Sequence, residues 1–147
     1  MSKQLLPADL QALARLLRLR QDEVDQLGVS VAQQEALRQR YRRNLERMAA
    51  LCAGSGSSGA LSPVLAANCA GYKQGVLAMM AQHQQDLALH EADLAANRGR
   101  LLQLTRKCEA LAHNFRQRQQ AWQQALARSE QKRQDDLATQ VWLRGQA

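Results

Sequence analysis

From Leu6 onward, steps of four and three residues pass through Leu6, Leu10, Leu13, Leu17, Arg20, Val24, Leu27, Val31, Gln34, Arg38, Tyr41, Leu45, Met48 and Cys52. Eleven of these fourteen positions are apolar. A mean spacing of 3.5 residues keeps one helical seam facing a partner helix, and strand alternation does not yield it. The chain therefore reads as all-α. Its abundant Ala, Leu, Gln and Arg suit long helices. Five aromatics, Tyr41, Tyr72, Phe115, Trp122 and Trp142, are too few for a globular core of normal bulk. Pro7 suits the first turn of helix one, where its missing N–H costs nothing.

The seam breaks at Ala53-Gly54-Ser55-Gly56-Ser57-Ser58-Gly59-Ala60, a stretch with no reason to stay helical. Ser62 then offers a cap and Pro63 a first helical position. Beyond a local stutter at Tyr72, Val76 and Met80, the 3,4 spacing resumes through His83, Leu87, His90, Leu94, Asn97, Leu101, Leu104, Cys108, Leu111, Phe115, Arg118, Trp122 and Ala125. Gly71, Gly75 and Gly99 each weaken this helix by roughly 1 kcal/mol without ending it.

The expected architecture is one coiled-coil domain over residues 1–147, an antiparallel two-helix hairpin. Helix one spans about residues 7–52, a Gly/Ser turn covers 53–61, and helix two spans about 62–143. A turn centred near residues 56–57 pairs Tyr41 with Tyr72 and Leu37 with Val76, and sets Leu10 near Gln103. Beyond about Arg106 the longer C-terminal helix then overhangs, its seam still running through Leu111, Phe115 and Trp122. Apolar surface without an internal partner marks a binding site.

Net charge is +7, distributed as +3 over residues 1–52, zero over 53–105 and +4 over 106–147. Basic ends fit nucleic acid, a membrane surface or an acidic protein. Three cysteines without a CxxC pair argue against a disulfide framework and for a reducing compartment. Pro7, Asp9 and Arg15 interrupt the start, so no signal peptide is expected there, and no apolar run is long enough to span a membrane. A cytoplasmic chain without direct membrane insertion is expected.

Nothing in the pattern builds a catalytic centre, a cofactor site or a metal site. His83 and His90 share a helix face but stand roughly 10 Å apart along it, too far for one ion. They read as polar seam positions that set register, with surface recognition a further role for His83. Cys52, Cys69 and Cys108 have no histidine beside them on the same face to make a nucleophile. GSGSSG lacks the Lys-Ser/Thr ending of a phosphate loop. The basic cluster Arg38, Arg40, Arg42, Arg43 and Arg47 reads as a solvated face or a docking patch near the tip. Trp122 and Trp142 read as self-association anchors or as hot spots for a protein partner.

Tyr41-Arg42-Arg43-Asn44-Leu45, then the loop, then Asn68, Tyr72, Val76, Met79, Met80, Gln82 and His83 ahead of a Gln-rich helix together resemble the FliJ family of flagellar type III export stalk proteins. The resemblance implies a non-enzymatic, antiparallel two-helix shaft. Such a shaft binds and promotes assembly of the flagellar export ATPase ring, contacts the cytoplasmic domain of the membrane export gate, and helps cycle export chaperones. It further implies a cytoplasmic protein peripherally associated with the inner-membrane export apparatus. Carried across by position, the gate-binding face is Leu37, Tyr41, Tyr72, Val76, Met79 and His83. The unpaired helix is where such a shaft would enter a ring, with Leu111, Phe115, Arg116, Arg118 and Trp122 as its ATPase-binding residues. The same stalk in a virulence-type secretion system is a sibling reading. A basic coiled-coil dimer that binds nucleic acid competes with both, and its affinity would fall steeply with salt.

Overall fold

The computed structural model describes residues 6–54 and 62–146. Two α-helices account for nearly all of them: α1, Ala8–Gly54, and α2, Pro63–Gly145. No strand occurs among the described residues. The fold is all-α, and its C-terminal helix is the longer, 83 residues against 47. Ala53 and Gly54 continue α1, and the rest of the expected turn, 55–61, lies outside the described residues.

Local chemistry explains the ends. The Ser62 Oγ accepts from the Leu65 N–H at 3.4 Å and its carbonyl from the Ala66 N–H at 3.0 Å, while Pro63 takes the first helical position. At α1, Pro7 stands just ahead of the helix, and its carbonyl accepts from the Gln11 N–H at 2.9 Å. Gly71, Gly75 and Gly99 lie within α2 without interrupting it.

Burial follows the seam. Of the fourteen seam positions from Leu6 to Cys52, Arg20 alone is fully exposed. On α2 the positions from Val76 to Phe115 are all at least half-buried. Farther on the seam moves: Arg118 and Ala125 are exposed, and Gln119 and Leu126 take the covered places around Trp122. A helix of 3.6 residues per turn drifts by about 20° per heptad from a strict seven-residue repeat, and this slip of one position is that drift.

The contacts divide the chain into two compact units. One is Asp25–Gln103. The other joins the part of α1 that ends at Val24 to the part of α2 that begins at Leu104. Within Asp25–Gln103 the helices run antiparallel: Arg42 and Arg38 reach Glu91, while Gln34 and Glu35 reach Asn97 and Arg98. Leu94, 2% exposed, is its most deeply buried side chain. In the other unit Leu10 and Cys108 are buried, and the Cys108 thiol donates to Gln21 Oε1 at 3.3 Å.

The register differs from the sequence expectation. Tyr41 does not meet Tyr72. It packs on His83 and His90, at ring-centroid distances of 6.0 and 5.9 Å. Those partners lie about two heptads farther along α2. A heptad seam is nearly indifferent to such a shift, because every displacement by seven residues sets apolar against apolar again. Polar groups break the tie. His90 Nε2 donates to the Gln34 carbonyl at 2.7 Å, and the Asn97 side-chain amide donates to Gln34 Oε1 at 3.1 Å.

Candidate functional site

The overhang expected from Arg106 onward begins later. Cys108 is buried, Leu111, Phe115 and Trp122 are half-buried, and Leu126 is the last covered residue; every described residue from 127 to 146 is exposed. The two-heptad shift in pairing is the cause. Of the five residues expected to bind the ATPase, Arg116 and Arg118 stand exposed, whereas Leu111, Phe115 and Trp122 are covered along the seam. Leu111 lines a shallow groove with Leu16, Arg20, Leu104 and Lys107.

The exposed helical end has its own chemistry. Arg128, Lys132, Arg133 and Arg144 are basic, and Leu137, Val141, Trp142 and Leu143 are large apolar side chains in water. Trp142 was legible in the sequence, but its neighbours Leu137 and Val141 were not singled out. Their i,i+4 spacing one turn apart was the available signal. The rest of this end, dominated by Gln, Arg and Asp, does not extend the seam.

The six gate-face residues divide into two groups. Tyr41, Val76 and His83 belong to the seam and are half-buried. Leu37, Tyr72 and Met79 are exposed. His83 lies edge-on to Tyr41, at an interplanar angle of 62°, and its Nδ1 is buried without a hydrogen-bond partner among the described residues. Of its two expected roles, the structure places it in the packed seam. Leu65, which sequence reasoning passed over, is exposed one heptad before Tyr72 and two before Met79. These three positions recur at a constant spacing of seven, so they share one side of α2.

Charge is organised around two carboxylates. Glu91 accepts from Arg38 Nε and from Arg42, both at 2.9 Å. Glu35 accepts from Arg98 at 2.7 Å, from Arg38 at 3.2 Å and from Gln39 at 3.1 Å. Glu35 is held below its ordinary pKa, chiefly by the Gln39 hydrogen bond and then by Arg38 and Arg98 against desolvation. For Glu91, desolvation acts upward, but the hydrogen bonds from Arg42 and Arg38 outweigh it and the net shift is downward. Two of the five arginines in the basic cluster are thus committed to ion pairs within the chain.

Among the described residues, no helix is long and apolar enough to cross a membrane, and no group of three or more His, Cys, Asp or Glu side chains is placed to hold a metal ion. The model of one protein family, described as the flagellar FliJ protein, matches residues 10–147. No curated protein and no solved structure matches.

Proposed function

Because the chain belongs to the FliJ family and is thereby a flagellar export component, we propose that it is the central stalk of the export apparatus, with its exposed helical end seated in the export ATPase ring. The observation that carries this reading is the run of exposed helix from 127 to 146. A helix of that length leaves Leu137, Val141 and Trp142 in water, and apolar surface without internal cover is where a partner gains most from burial. Arg128, Lys132, Arg133 and Arg144 outnumber Glu130, Asp135 and Asp136 by one, which leaves this stretch a net charge of +1 toward an acidic ring lining. Arg116 and Arg118 are exposed nearer the paired part of α2, on opposite sides of the helix.

The gate-facing surface is the exposed set Leu37, Tyr72 and Met79, together with Leu65. Tyr41, Val76 and His83 act there as support, since they pack within the seam. Promotion of ring assembly and the cycling of empty export chaperones complete the proposed role. It places the protein in the cytoplasm, peripherally associated with the inner-membrane export apparatus.

The register also decides how to test this. A cut at residue 105 would remove the α2 segment carrying Cys108, on which Gln21 relies, and would damage the fold along with the interface. A cut after Leu126 removes exposed helix only. Turnover of the flagellar export ATPase, titrated with the full chain and with the chain ending at Leu126, is the direct experiment. Stimulation by the full chain and none by the shortened one is expected. Undiminished stimulation by the shortened chain would move the ring contact away from this end.

A further inference from the structure

Between His90 and Leu101, α2 turns its seam toward α1, and a second apolar face lies on the opposite side. At 100° per residue, Leu89, Ala92, Ala96, Gly99 and Leu102 point away from His90, Leu94 and Asn97. All five are exposed, Leu89 at 69% and Leu102 at 52%. A Cβ added at Gly99 would meet nothing within 4 Å, so the chain's own packing does not require a glycine that weakens the helix by about 1 kcal/mol.

This face has an internal symmetry. Counted outward from the bond between Ala95 and Ala96, Ala92 stands opposite Gly99, Asp93 opposite Arg98, Glu91 opposite Arg100, and Leu89 opposite Leu102. Apolar positions map onto apolar ones, whereas the acid–base matches fall on opposite flanks of the helix and do not meet across the contact. A surface that is its own complement under reversal is what a two-fold interface between identical chains requires. In that antiparallel arrangement each Leu89 lies level with Leu102 of the second copy, and the small side chains between them allow close approach of the helices.

The charges identify the occupant. Glu91 and Arg98 already have partners within the chain. Asp93 and Arg100 are exposed and make no ion pair among the described residues. Seven residues apart, they stand roughly 10 Å from each other along one helix and do not reach one another. In a reversed copy, Arg100 comes level with Glu91 and within half a turn of Asp93, on the same flank of the contact. Each Asp93 then pairs with Arg100 of the other copy, twice per dimer.

We propose that two copies of this chain associate through the α2 face centred on Ala95 and Ala96, antiparallel and related by a two-fold axis. The contact covers about four helical turns, less than the roughly 1,200–2,000 Å² of a stable interface, so the dimer is weak and depends on concentration. It engages neither the exposed end at 127–146 nor the Leu65, Tyr72 and Met79 positions, and it stands independently of the export reading.

Sedimentation equilibrium of the full chain over a wide range of concentration tests it. The mass should rise from 16.4 kDa toward twice that value. Asp93→Arg alone and Arg100→Asp alone should each weaken association about tenfold, and the two together should restore it, because the swapped pair is again self-complementary. Helical circular dichroism should be the same for all four proteins, since both side chains are exposed. A monomer at every concentration overturns the proposal. So does a dimer that ignores both reversals, and loss of that dimer in Trp142→Ala would assign self-association to the exposed end instead.

Discussion

The Asp25–Gln103 unit and the unit built from the two chain ends carry the same kind of seam, yet polar groups are used differently in them. In the first, Gln34, Tyr41, His83, His90 and Asn97 occupy seam positions and touch across the helices, flanked by ion pairs at Glu35 and Glu91. In the second, Leu10, Leu13, Leu17, Val24, Leu111 and Phe115 dominate, and a thiol hydrogen bond joins Cys108 to Gln21. Leucines supply burial but accept any displacement by a heptad. Polar residues contribute less free energy and accept one alignment only, since a buried polar group without its partner costs about 1–3 kcal/mol. Alignment is thus concentrated in the Asp25–Gln103 unit, whereas apolar burial holds the helices together in both.

The largest expected effect tests burial. Leu94→Ala should lower the unfolding free energy by about 2–4 kcal/mol, read from urea denaturation, because it empties the most deeply buried site of Asp25–Gln103. Leu137→Ala, at an exposed site in the other unit, should change stability by less than about 0.5 kcal/mol. Similar losses at the two sites would contradict the exposure of the helical end.

Alignment is tested by removing its polar markers. Gln34→Leu combined with Asn97→Leu should leave stability equal or higher while relaxing the register. Spin labels at Leu37 and Leu89 should then report more than one distance, where the parent protein gives a single one. A unique distance in the double variant would show that the leucines select the register unaided.

Next in size is the gate surface. Tyr72→Ala with Met79→Ala should weaken binding to the gate's cytoplasmic domain by about tenfold or more without lowering the melting temperature, since both side chains are exposed. His83→Ala should lower the melting temperature, because its ring packs on Tyr41. Equal thermal losses in both would erase the distinction between surface and support.

The smallest effect concerns charge. The folded pKa values of Glu35 and Glu91 are lowered, so their contribution to stability is complete above the unfolded carboxylate range, near pH 4.3, and disappears as pH falls through the folded values. Glu91→Gln should reduce the loss of melting temperature on acidification, and high salt should narrow its difference from the parent protein. A pH profile identical to the parent's would show that the Arg38 and Arg42 pairs contribute nothing measurable.

Periodicity and helix chemistry by themselves determined the two helices, the break between them, the Ser62 cap and the identity of most of the covered residues on α1. Those properties depend on near neighbours in the chain, three or four residues apart, and a reader of the chain has them all in view. The family was likewise legible, in Tyr41 to Leu45 and in Tyr72 to His83. Only the tertiary structure decided which residues meet across the helices. A heptad repeat scores alignments seven residues apart almost equally, and the choice among them fell to Gln34, His90 and Asn97, far apart in sequence and correctly placed in one register. From that choice follow the packing of His83 on Tyr41, the burial of Cys108, and an exposed helix that starts beyond Leu126 rather than at Arg106.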